Sequence, residues 1–329
     1  MEATPIKQAR DELIRRDGPW SGHNIRLGEG VYTIPGQDPT KQPHPVRRVL
    51  QTVQDLLGKP LDRARVLDLA CLEGLYGLEF ALHGASVLGI EGRETSLRKA
   101  RLAKEVLALS NIEFRQDDVR NLSVEKYGSF DVVLCLGILY HLDAPDVFRF
   151  IESIASVCTG IAVIHTHVSN APRVRMEWHS DAYFGRKVLE HLPSENERTR
   201  AKAVWGSLDN PQSFWLTRAS LLNLLRQSGF TTVCECRIPY LPEQPSDHVT
   251  LVCVRGRPCE IRCYPPMNSS AGPTWPERRR ESVNVAQAWY YGIARQLGGW
   301  GPMRWAMRRV AGLPVVRKML GLEWHSQER

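Results

Sequence analysis

The stretch RVLDLACLEGLYGLEFALHG (65–84) decides the fold. Its opening, 65–70, is an apolar run too short for a helix and rich in strand formers. Small residues and Gly74 follow, then Leu75, Leu78, Glu79 and Leu82 at helical spacing, up to a His83-Gly84 stop. A strand, a tight turn and a helix in that order open a βαβ unit. The alternation continues outward: strands at 86–91, 112–115, 130–136 and 161–164, with helices expected at 94–109 and 146–158. Continuous apolar strands separated by helices imply a parallel sheet covered on both faces. A helix at 217–228 and strands at 231–236 and 249–254 follow; with no crossover helix between them, these last two strands are expected to pair antiparallel.

Ligands of such sheets bind at the carboxyl ends of the strands. The first strand ends in Asp68-Leu69-Ala70-Cys71-Leu72-Glu73-Gly74, a turn with little bulk leading into a helix N-terminus. The second ends in Glu91-Gly92, where a carboxylate can accept both hydroxyl hydrogens of a ribose. The third is followed by Asp117, Asp118 and Val119, a carboxylate and an N–H suited to an exocyclic amine and a ring nitrogen. Polar groups at three successive strand ends suit an adenosine. Neither GxxxxGK[ST] nor GxGxxG occurs, so no pyrophosphate site is expected.

VLDLACLEG (66–74), GIEGR (89–93), QDDV (116–119) and FDVVLCLGILYHL (130–142) together resemble the core of class I S-adenosylmethionine-dependent methyltransferases. The last motif resembles the corresponding stretch of tRNA wobble-uridine alkyltransferases and of bacterial small-molecule methyltransferases. The resemblance implies a Rossmann-like α/β fold: a seven-stranded, mostly parallel sheet with helices on both faces. It implies S-adenosyl-L-methionine as cofactor. Asp68, Ala70, Cys71, Glu73 and Gly74 would serve the methionine end, Glu91 and Gly92 the ribose, Asp117, Asp118 and Val119 the adenine, and Leu136 and Gly137 the sulfonium. Ala70 and Cys71 stand where the family usually has Gly-Cys or Gly-Gly.

A sulfonium methyl is already activated, so the protein mainly aligns the reactants and excludes water. Tyr140 and His141 follow the fourth strand directly, and His141 is the expected base or substrate orienter. His165 and His167 share one face at the end of the fifth strand. That spacing suits a metal only with a third ligand; none is evident, so the pair is assigned to the acceptor and no metal is expected. Cys234, Cys236, Cys259 and Cys263 match no zinc spacing.

Residues 1–60 are read as a lid and substrate segment, with Trp20, His23 and Tyr32 facing the acceptor. Residues 61–257 form the core, with an inserted cap at 170–212 whose end brings Asn210, and just beyond it Trp215, towards the same site. A Pro-rich linker (258–281) leads to a helical appendage (282–329). Charge divides along the chain: from residue 271 onward ten basic residues face four acidic ones, and everything before carries 33 against 32. Five of the nine Trp also lie in that tail. It suits an anionic membrane surface or a second copy of the chain. A nearly neutral body speaks against nucleic acid. No apolar run reaches the roughly 18–20 residues that span a bilayer, the start is charged, and a reducing cytoplasm is expected.

The function expected is methyl transfer to O or N of a small natural-product or lipid-like molecule. The alternatives are tRNA wobble-uridine modification and a cofactor-binding scaffold without turnover.

Overall fold

The computed structural model describes residues 3–28, 30–36, 45–192, 194–196, 199–200, 203–237 and 246–256. The linker 258–281, the appendage 282–329, Cys259 and Cys263 lie outside the described residues. No described helix is long and apolar enough to cross a membrane.

The strands of the opening motif form one sheet. β3 (Arg65–Leu69), β4 (Ser86–Glu91), β5 (Ile112–Gln116), β6 (Phe130–Leu136) and β7 (Cys158–His167) run parallel. β11 (Thr232–Glu235) and β12 (His248–Val254) complete it, β12 lying antiparallel to both β7 and β11. The order is β11-β12-β7-β6-β3-β4-β5. The seven-stranded Rossmann-like sheet is thus as expected, including the antiparallel final pair. β3 has β4 on one side and β6 on the other, so the order reverses there and a crevice opens at its carboxyl end.

Helices cover both faces because consecutive strand residues point to opposite sides. Val66, Val87, Val132 and Val163 meet α2 (Pro45–Leu56), α3 (Leu75–Leu82) and α4 (Glu94–Val106) in one core. Leu67, Leu88, Val133 and Ile164 meet α6 (Asp146–Val157) and α7 (Arg218–Gln227) in the other. A short α5 (Val124–Tyr127) precedes β6.

Two appendages flank the crevice. The N-terminal one contains α1 (Ala3–Asp17) and a small hairpin, β1 (Arg26–Gly28) with β2 (Val31–Tyr32). Arg98 of α4 holds Asp17 through two hydrogen bonds, 2.9 and 2.7 Å, which fixes the end of α1 on the core. The inserted segment is a sheet, where the sequence offered only polar and aromatic residues and turns: β8 (Val174–Trp178), β9 (Asp181–Leu189) and β10 (Gln212–Leu216) pair antiparallel. β10 extends past the expected boundary at 212, and Trp215 sits within it, fully buried.

Candidate active site

The crevice is a cavity of about 370 Å3 at the carboxyl ends of β3, β4, β5 and β6. Its floor is the turn after β3. Ala70 and Leu72 both adopt φ of 51°, the left-handed region that costs a side-chain-bearing residue roughly 1 kcal/mol. This coil lets the Leu72 N–H donate to the Glu91 carboxylate at 3.0 Å, and the Arg93 N–H donates to its other oxygen at 2.8 Å. Glu91 is therefore fixed in place at the cavity wall, and burial raises its pKa. Asp68, also in the wall, accepts from the Gly77 N–H at 2.9 Å. Burial pushes its pKa up to about 7, against the effect of that bond.

Of the residues assigned to the cofactor, Asp68, Ala70, Cys71, Glu91 and Gly92 line the cavity, as do Asp117, Val119, Leu136 and Gly137. Three do not, and each has another task. Glu73 turns away and holds the lid: its carboxylate accepts from the N–H groups of Ser21 (2.7 Å), Gly22 (3.3 Å) and His23 (3.2 Å), and from Lys99 Nζ at 3.1 Å. Gly74 starts α3 at φ 85°, where a Cβ would come within 2.8 Å of the Phe114 ring, so backbone shape and packing require it. Asp118 caps the following turn by accepting from the Arg120 N–H at 2.8 Å, and its carboxylate also pairs with the Arg120 guanidinium. At Asp117 burial opposes ionisation, but hydrogen bonds from Lys126, Tyr127 and Asn121 outweigh it and hold the carboxyl well below its usual range. Two buried carboxylates, a close-approach backbone turn and a third acidic loop fit a cationic adenosine derivative. Asp68 would face its amino end and Glu91 its ribose.

At the other end, Tyr140 and His141 both line the cavity. His141 Nδ1 lies 2.9 Å from Glu190 Oε2, and Glu190 also accepts from Ser213 Oγ at 2.7 Å and the Ser207 N–H at 3.1 Å. Burial works against the ionisation of Glu190, but these bonds, that from His141 first, bring its pKa below the usual value. His23 and His165 reach the cavity as well. Burial, reinforced by neighbouring cations, drives the His165 pKa down to about 4.

The other acceptor assignments are corrected. Trp215 and Asn210 stand behind the wall: Trp215 Nε1 donates to the Tyr140 carbonyl at 2.8 Å, and Asn210 Nδ2 to the His141 carbonyl at 2.9 Å. They position the pair without lining the cavity. Trp20 is buried beneath the lid with Lys99 over its ring at 5.6 Å. Tyr32 contributes its carbonyl to Arg10, 2.9 Å away. His167 lies one ring further out, 4.5 Å from Tyr140.

The N-terminal segment and the insertion both contribute residues to the cavity wall. Gly22 and His23 of the lid face residues 204–208 of the insertion across the cavity. A Cβ on Gly22 would lie 2.8 Å from the Trp205 ring, and one on Gly92 2.4 Å from Leu208. Arg93 holds this strap by donating to the carbonyls of Ala203, Gly206 and Ser207 at 2.9, 2.9 and 3.1 Å. Arg120 bridges from Asp118 to Asp209 at 2.7 Å. Only the motif GIEGR pointed near Arg93, and nothing in sequence singled out Glu190.

Comparison with known proteins agrees with this geometry. Residues 66–160 match a family model described as "Methyltransferase domain". The chain is similar to "Ubiquinone biosynthesis O-methyltransferase" of Acinetobacter baylyi, 40% identical over 81 residues, which are 25% of this chain and 34% of that protein. Its similarity to the protein of that name from Acinetobacter baumannii is 35% over 104 residues, 32% of this chain and 41% of the relative. The chain thus spans well under half the length of these curated relatives. The crystal structure of the N-terminal domain of EvdMO1 in the presence of SAH and D-fucose is similar over 78% of this chain and 98% of that one, with 28% identity and a TM-score of 0.59. Residues 66–160, set in their seven-stranded sheet, are therefore a class I S-adenosylmethionine-dependent methyltransferase domain.

Proposed function

We propose that the chain methylates a hydroxyl oxygen of a small, sugar-like molecule. The observation that carries this reading is the His141–Glu190 pair at the cavity wall. An ionised Glu190 accepts from Nδ1–H, which leaves Nε2 of His141 as the basic nitrogen. S-adenosylmethionine supplies an activated methyl group when bound. With the cofactor bound, His141 would take the hydroxyl proton while the methyl group passes to the oxygen and S-adenosylhomocysteine leaves, and Glu190 would hold the imidazolium. The lid at 22–23 and the strap at 204–208 keep water out.

An alcohol holds its proton far more tightly than a phenol, so a dedicated base favours an alcoholic acceptor. Imidazoles at His23, His141 and His165, with the Tyr140 ring, offer the hydrogen bonds and flat faces that a polyol needs. The similarity to the EvdMO1 domain supports the same class, since it extends across most of the chain. A phenolic acceptor is the second reading, favoured by the names of the curated relatives, whose match is confined to a third of the chain. The test is SAH release from a panel of deoxysugars, their glycosides and catechol-type phenols. Turnover with the sugar arm alone supports the proposal, turnover only with phenols replaces it by the second reading, and cofactor binding with no turnover on either arm points to a scaffold.

A further inference from the structure

His167, one of the pair singled out in sequence, finds ligand-type partners at the start of another strand, while His165 pairs with Thr250 instead. β12 lies antiparallel to β7 with His248 opposite His167, and Asp247 immediately precedes it. The Asp247 carbonyl accepts from the Val168 N–H at 2.8 Å, so this corner is pinned by backbone. His167, Asp247 and His248 consequently converge, with one ligand-type atom from each lying within 4.8 Å of the others. Their spacing is informative. His248 Nδ1 is 3.2 Å from one Asp247 oxygen and His167 Nδ1 is 3.6 Å from the other. Two ligands on one ion, with bonds of about 2.0–2.2 Å, stand roughly 2.9–3.4 Å apart across four- to six-coordinate angles. The shorter separation falls within that range; the longer, to the other carboxylate oxygen, lies just beyond it and beyond a hydrogen bond.

The surroundings fit a bound cation. The His167 ring stacks on Trp215 at 4.6 Å and 15°, which fixes its plane. Asp247 is buried and carries an ion pair with Arg186 at 4.0 Å, on the oxygen that faces His167. The His248 side chain is 28% exposed and gives an entry path. Two imidazoles and one carboxylate with open positions are a donor set for zinc and its first-row neighbours, and a poor one for magnesium or calcium.

We propose that His167, Asp247 and His248 bind one divalent transition-metal ion of the zinc class. The ion ties β7 to β12 beside the acceptor end of the cavity, since Tyr140 and His165, both in the cavity wall, lie against the rings of His167 and His248. The site stands on its own geometry, whichever acceptor is methylated.

The test uses the full chain, stripped with chelator, reloaded with Zn2+ and freed of excess by gel filtration, with metal content read by mass spectrometry. The wild type and the surface control His83→Ala should retain about one equivalent more than Asp247→Asn and His248→Ala. Added Zn2+ should raise the melting temperature of the first two and leave His248→Ala unmoved. His248 opens β12 and is part-exposed, so this variant carries the test if Asp247→Asn does not fold. Equal retention by wild type and His248→Ala, or none by the wild type, overturns the proposal and leaves Asp247 as an orienter of two imidazoles.

Discussion

The two ends of the cavity are held by interactions of very different reach along the chain. At the cofactor end, Leu72 bonds Glu91 over 19 residues, Gly77 bonds Asp68 over nine and Arg93 bonds Glu91 over two. All three donors are backbone N–H groups. At the acceptor end, His141 meets Glu190 over 49 residues, Asn210 reaches the His141 carbonyl over 69 and Trp215 the Tyr140 carbonyl over 75. Each of these contacts uses a side chain. Backbone donors survive replacement of their own side chains, whereas side-chain donors from distant segments do not; the carboxylates that accept at the first end remain side chains on which it depends.

Several substitutions would break or sharpen this contrast. The largest effect is expected from Glu91→Ala, which removes a buried charged acceptor. Cofactor affinity by calorimetry should fall about a hundredfold or more, since each bond to a charged group is worth roughly 1.5–3 kcal/mol. Glu190→Gln should leave cofactor affinity unchanged and lower kcat by about tenfold to a hundredfold, because the base loses its ionised partner. A matching loss of cofactor affinity would show that the two ends are not separable.

Next comes a pH effect. Burial raises Asp68 to about 7 in the folded chain from its ordinary value of 3.8, so in the ligand-free protein it is largely protonated below neutrality. A cationic ligand needs the ionised form, and its binding must release that proton. Affinity should fall as pH drops below about 7, by up to about tenfold per unit, and Asp68→Asn should flatten the dependence. The same shift means that Asp68 withholds stability as pH rises towards 7, since the unfolded chain ionises first.

Arg93→Ala removes three contacts to the strap but keeps the backbone N–H that serves Glu91. The expected result is a several-fold rise in the acceptor KM with little change in cofactor affinity, together with faster proteolysis near 203–208. Smallest is Ala70→Gly, which relieves the left-handed φ of 51° and should raise stability by about 0.5–1 kcal/mol in chemical denaturation. No gain there would mean that the turn is not strained by its Cβ.

Much of the cofactor end was legible because its signals are short. A strand end followed by Asp68 and Gly74, or by Glu91, places a group at the crevice through period and turn alone. Glu73 and Asp118 were misassigned for a related reason: a carboxylate next to the right position looks the same in sequence whether it faces the ligand or caps a neighbouring loop. Packing separated Glu73 by bringing residues 21–23 to it, and a local turn cap two residues on occupied Asp118.

Sequence by itself determined the alternation of strand and helix, the two-faced core and the acidic groups at three strand ends, because each is written in periodicity or in adjacent residues. Tertiary structure alone decided that His141 acquires Glu190 as a partner, that residues 204–208 of the insertion line the cavity, and that His248 stands opposite His167 with Asp247 beside it. Those depend on the register of β12 on β7 and on the pairing of β9 with β10. Such contacts close loops of tens of residues, and no local pattern records where a distant side chain comes to rest.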